Sequence, residues 1–227
     1  MIMLRTFMLF FSLAAIAGGC ASYTPSSAVL ESPKKFAGQR AENGVAVSVS
    51  PLTDPEEQKK LFDADFTEKG VLCLQVVAEN QSAPLAVVRP SDMSLELPGG
   101  TQLSPVSANT VVAKVGEKGS VAGATIAFGL IGYLASANAE DNARAARLED
   151  YRSKTFSEAR LASGNSAHGV VFFIPPPGTK AFDSATFSVR FVDAEDATSR
   201  TIELPLTNLD FKEVPLQAPE KKKKACC

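Results

Sequence analysis

Tryptophan is absent from the 227 residues, tyrosine occurs three times and histidine once. Few rings are therefore available for stacking on bases or sugars, and a formal net charge of −2 offers no basic field for phosphate. Nucleic acid is excluded as an expected partner. The four cysteines, at 20, 73, 226 and 227, form no CxxC pair, and with one histidine they supply neither a zinc ligand set nor a disulfide framework. A phosphate-cradling glycine loop and a GxSxG elbow are missing too. The expectation is a protein with no metal, no cofactor and no catalytic residues, not an enzyme.

The isolated reactive side chains fit that expectation. His168, in SGNSAHGVVFF, stands at a strand entrance with no nucleophile or orienting partner near it in sequence, so it reads as structural. Asp54, Glu56 and Glu57 suit a helix N-terminus, where negative charge is favoured by the macrodipole. Asp63 and Asp65, in FDADF, lack the oxygen-ligand ladder and the glycine of a calcium loop. DAEDATS, from Asp193 to Ser199, reads as a solvated hairpin loop. Cys73 lies among Leu72, Leu74, Val76 and Val77 and reads as a small core hydrophobe.

What is present begins at the N-terminus. MIMLRTFMLFFSLAAIAGGC has one positive charge at Arg5, an apolar run from Phe7 to Ala17, then Gly18, Gly19 and Cys20, which is the layout of a secretory signal over residues 1–19. Ending on small residues directly before a cysteine, it resembles the lipobox of bacterial lipoproteins. The resemblance implies cleavage between Gly19 and Cys20, with the Cys20 thiol diacylated, palmitate-like chains holding the protein on the membrane, and a mature net charge of 22 − 25 = −3. Ala17 stands where that motif usually carries Leu; an ordinary cleaved signal or an uncleaved anchor is the alternative. Ala21, in place of the Asp that retains such lipoproteins in the inner membrane, implies the outer membrane, facing the periplasm, in a host that has one.

Residues 20–43 read as the lipidated cysteine and a polar tether, whose 23 residues after Cys20 would reach roughly 75 Å fully extended. From Gly44 the period becomes two. GVAVSVS alternates Val45, Val47 and Val49; DPEEQKKLF offers Asp54 as N-cap, Pro55 at the first helical position and Glu57 for a capping box. GVLCLQVVAEN reads as a strand buried on both faces, LAVVRP as another, and SLEL with TQLSPV as a hairpin around PGG. Later, HGVVFFIPPPG is a strand stopped by prolines, ATFSVRFVD turns Phe187, Val189 and Phe191 inward, and RTIELPL does the same with Ile202, Leu204 and Leu206. About five strands before Ser107 and three after Gly169 predict a mainly β domain over 44–214. The expected architecture is an immunoglobulin-like antiparallel β-sandwich with an Ala/Gly-rich helical insertion at about 107–165. The strand and turn run around VVAENQSAPLAV also resembles that of uncharacterised bacterial envelope lipoproteins with β-sandwich domains.

The insertion contains SVAGATIAFGLIGYLASANA, Ser120 to Ala139, long enough as a helix to cross a bilayer. Six of its residues are Val, Ile, Leu or Phe, worth about −2 to −4 kcal/mol, and three glycines with four polar side chains count against them. A single crossing would also put the two sets of strands on opposite sides of the membrane. The better reading is a close-packing helix over about 120–137, with Ala122, Thr125, Gly129, Gly132 and Ser136 in a narrow stripe that lets a second surface approach. The final segment, 215–227, is a basic tail ending in Cys226 and Cys227. These features predict a lipid-anchored envelope protein acting as a non-enzymatic binding or assembly module, with another copy or an envelope protein as partner. A membrane-perturbing or pore-forming protein and an envelope hydrolase are the alternatives.

Overall fold

Alternating apolar residues and turn chemistry organise the larger part of the chain into paired strands. In the computed structural model, residues 38–82, 84–116, 141–194 and 196–211 are described, together with 23, 25, 26 and 36. The chain divides into two compact units, Pro25–Gly116 with Leu148–Cys227, and Met1–Thr24 with Glu117–Arg147. In chain order the elements are β1 (Gly38–Glu42), β2 (Val45–Pro51), α1 (Pro55–Phe62), β3 (Leu72–Asn80), β4 (Ala86–Glu96), β5 (Gln102–Leu103) and α2 (Ala108–Gly116). After these come helix α3, seen over residues 141–154, then β6 (Ala159–Leu161), β7 (Ser166–Phe173), β8 (Phe182–Asp193) and β9 (Ser199–Phe211).

The larger unit is mainly β, built on two antiparallel sheets. One runs β1-β2-β3-β7; the other runs β5-β4-β8-β9, with β6 also paired to β4. Val45, Val47, Val49, Leu74 and Val76 of the first sheet share a core with Val88, Leu95, Phe187, Val189, Phe191, Ile202, Leu204 and Leu206 of the second. The inward faces read from ATFSVRFVD and RTIELPL are the ones buried.

A second core covers the opposite face of the first sheet. Cys73, Val170 and Phe172 meet Leu61 and Phe62 of α1, Phe66 of the following loop, Ala108, Val111 and Val112 of α2, and Tyr151 of α3. Four rings interlock there: Phe62 lies 5.2 Å from Tyr151 and Phe66 lies 5.3 Å from Phe172, both edge-on, a geometry that adds to the area buried. Strand β3 is thus buried on both faces, as its mostly apolar run predicts.

Three details depart from the pattern read in the sequence. Pairing starts at Gly38, inside the stretch read as tether, because Asn43 (φ 49°) and Gly44 (φ 80°) both adopt positive φ and close a two-residue hairpin. Strand β2, flanked by β1 and β3, is buried on its small-residue face as well, at Ala46 and Ser48. LAVVRP and SLEL are one strand, β4, whose register with β8 shifts between Val88 and Met93. Pro90 sits in that irregularity, where no ladder hydrogen bond is required of it, and Asp92 fastens it by accepting from Arg190 Nη2 at 2.6 Å.

The outer edge of β7 is covered by short contacts from the chain flanking the insertion. Val106 N–H donates to Phe172 O and Phe156 N–H to Val170 O, both bonds of ordinary length. The second bond brings Phe156 so close that a Cβ on Gly169 would lie 2.5 Å from its backbone nitrogen and Cα. Glycine is required there for lack of space. Gly169→Ala is expected to lower the unfolding free energy by about 1–3 kcal/mol, read as a shifted urea midpoint; an unchanged midpoint would refute the close approach.

Candidate functional site

The lipidation and cleavage residues Cys20 and Gly19, and the helix stripe Ala122, Thr125, Gly129, Gly132 and Ser136, lie outside the described residues, as does the 215–227 tail. The other singled-out side chains are spread over the domain and are not brought together. His168 is exposed on β7 opposite Val77. Asp54 caps α1 by accepting from Glu56 N–H at 2.9 Å, and Asp63 ends the same helix in the left-handed conformation at φ 52°. Asp196 accepts from the hydroxyl and N–H of Thr198, bonds that hold its carboxyl below the usual carboxylate range, with Arg200 adding to the effect. Among the described residues no three His, Cys, Asp or Glu side chains are grouped to hold a metal ion.

The densest polar cluster is one that sequence reading did not single out, at the C-terminal end of α1. A helix end leaves its last carbonyls without intrahelical donors, and here the C-cap serves one of the last four and distant residues serve the other three. Asp63 N–H donates to Lys59 O at 2.8 Å, Ser26 Oγ to Lys60 O at 2.5 Å, Lys154 Nζ to Leu61 O at 2.6 Å, and the Tyr151 hydroxyl to Phe62 O at 3.0 Å. The Lys154 ammonium also complements the negative end of the helix dipole.

Lys154 itself is nearly enclosed. Its side chain is 9% exposed and that of Asp150 is 5% exposed, and the two pair at 2.6 Å one helical turn apart. With Leu61 O and Ser26 O, at 3.3 Å, Asp150 gives the three ammonium protons three acceptors. A buried charge is tolerated on those terms. Nearby, Gln58 is buried and uses its whole amide, donating to Leu52 O and Thr67 Oγ1 and accepting from Phe66 and Thr67 N–H, so the 63–67 loop is held against α1. In the smaller unit, the Arg147 guanidinium lies over the Tyr23 ring at 4.6 Å. The sequence signal for Lys154 was the Asp150/Lys154 spacing of four; nothing in sequence marked Ser26 as its partner.

Saturated in this way, the cluster holds segments together and leaves no poised acid, base or nucleophile. Cys73 lies nearby in the fold, on a recess with room for about one water between Pro51–Thr53, Thr67, Val71–Cys73 and Leu209–Phe211. Burial pushes its thiol well above the ordinary 9.0, with the Glu57 charge adding to the effect, so it is a packed thiol and a poor nucleophile.

No protein-family model matches the chain, and no curated protein matches it. Solved structures with a similar path include ycdA of Bacillus subtilis, a candidate lipoprotein, at TM-score 0.38 and 14% identity, over 76% of this chain and 39% of that one. The chain therefore spans well under half of that protein's length. The yjhA protein of Bacillus subtilis matches at TM-score 0.37 and 10% identity, over 74% of this chain and 97% of that one. A candidate ApaA protein of Bordetella pertussis matches at 0.32 and 13%, over 72% and 92%. Likenesses this distant carry no argument about function.

Lys154→Met removes the ammonium that pairs with the buried Asp150 carboxylate and caps Leu61 O, and is expected to cost about 3–5 kcal/mol of stability, measured by urea unfolding. For Cys73, a folded-state thiol raised above 9.0 contributes stability that is whole below that pH and lost as pH rises beyond it. The wild-type midpoint should fall above pH 9 more steeply than that of Cys73→Ala, and iodoacetamide should label Cys73 only on unfolding. Equal pH profiles would contradict the burial account.

Proposed function

We propose that the chain is a lipid-anchored protein of the bacterial envelope, attached through Cys20 to the membrane and acting as a non-enzymatic binding or assembly module. Helix 120–137 is its docking or self-association element. The observation that carries this reading is the interleaving of strands across the insertion. β3, before it, pairs with β7, after it, and β4 pairs with β8. A chain that crossed a bilayer once between Gly116 and residue 141 would have to separate strands that are hydrogen-bonded to each other. The segment therefore leaves and rejoins one domain, and its two roots are packed in the second core through Val111, Val112 and Tyr151. A stripe of small residues carried on such roots is suited to close contact with a partner surface.

The same connectivity supports an immunoglobulin-like sandwich as the scaffold. Strands β2, β3 and β7 correspond in order to A, B and E of such a fold, and β5, β4, β8 and β9 to C′, C, F and G. The anchor rests on the Gly18-Gly19-Cys20 sequence, which also favours the outer membrane and the periplasmic side. No cofactor or metal enters this function.

In-cell crosslinking should capture a second copy or a discrete envelope partner, and Gly129→Leu or Gly132→Leu should abolish the adduct by filling the stripe. A protein that remains monomeric and partner-free at native abundance would overturn the docking role. Separately, Cys20→Ala should eliminate incorporation of labelled fatty acid; undiminished labelling would remove the anchor.

A further inference from the structure

The leader between the anchor and the first strand is not all spacer. Ser26 is bound twice at the end of α1: its hydroxyl donates to Lys60 O, and its carbonyl accepts from the buried Lys154 ammonium. One bond caps an orphan helix carbonyl and the other takes the third proton of a buried cation. Docking of the leader is therefore part of how the domain satisfies its own polar groups.

From these contacts we infer that the domain sits close to the bilayer, with the C-terminal end of α1 nearest to it. The inference rests on the lipid anchor at Cys20. Ser26 follows Cys20 by six residues, which span at most about 20 Å when extended, against roughly 75 Å for a leader free as far as Asn43. Chain beyond Ser26 lies past this attachment point and adds nothing to the standoff. The exposed face of α1 carries Glu56 and Glu57 beside Lys59 and Lys60, charges of both signs that give no strong pull on an anionic surface. Standoff is set by the short link.

Two insertions of a Gly/Ser segment of about ten residues separate this from a free tether. Each adds the same contour, roughly 15–20 Å in mean span, one placed after Ser22 and the other after Ala28. The full lipidated chain, in vesicles of phosphatidylethanolamine and phosphatidylglycerol, carries a donor fluorophore at position 57 and reports energy transfer to headgroup acceptors. Insertion after Ser22 should reduce transfer, and insertion after Ala28 should leave it unchanged. An equal reduction by both, or by neither, would overturn the inference.

The docking itself is read without lipid, in the Cys20→Ala chain with Cys226 and Cys227 replaced by Ser, by the mobility of a nitroxide attached at Pro25→Cys. The label should be restrained in that chain and about tenfold more mobile with Lys154→Met, or with Ser26→Ala should the first variant unfold. Equal mobilities would remove the docked leader whatever the state of the anchor, and fatty-acid labelling tests the anchor alone.

Discussion

The end of α1 is the point on which several distant parts of the chain depend. An eight-residue helix has little stability of its own, and its last carbonyls need donors that its own backbone cannot provide. Those donors come from Ser26, Tyr151 and Lys154. Satisfying one helix end thus joins the leader, α1 and α3 in a single polar knot. The knot lies over an apolar floor, because Lys154 passes 5.4 Å from the Phe62 ring and Tyr151 is itself one of the four interlocked aromatics. The Tyr151 bond is buried and those of Lys154 partly so, which makes them the costly ones to lose.

That knot is possible because the first sheet is buried on both faces. Alternate residues of β3 and β7 feed the core between the sheets and the core under the helices. The helical layer consequently does two things at once. It covers Cys73, Val170 and Phe172, and it packs Val111 and Val112, before residue 117, together with Tyr151, after residue 140, in one core. Gly169 and the Phe156 backbone bring the returning chain onto the β7 edge, which would otherwise present unpaired backbone groups to solvent.

Much of the strand layout was legible in advance. Period-two alternation at Val45, Val47 and Val49, at Phe187, Val189 and Phe191, and at Ile202, Leu204 and Leu206 named core faces correctly, since a strand's successive side chains point to opposite faces and the larger apolar set takes the core between the sheets. The Asp54-Pro55 start of α1 was readable from capping chemistry alone. β1 was not read, although its Asn43-Gly44 turn was in plain view, because Gln39, Arg40 and Glu42 lack the apolar alternation that marks a strand. An edge strand needs only backbone pairing. Lys154 and Ser26 were missed for a different reason: a lysine among the charges of LEDYRSK looks solvated until the fold brings carbonyls from 93 and 128 residues away to its ammonium.

By itself, then, the sequence determined the features that are local: the apolar run and small residues ahead of Cys20, the strand periods, the caps, and the low hydropathy of the 120–139 stretch for a membrane crossing. These depend on near neighbours and on the solvent each side chain requires. Tertiary structure decided which strands pair, that the segments before and after the insertion belong to one domain, and that a buried ammonium ties the leader to α1. Such contacts join residues far apart in the chain, and only the closed fold, by excluding water, gives them their strength.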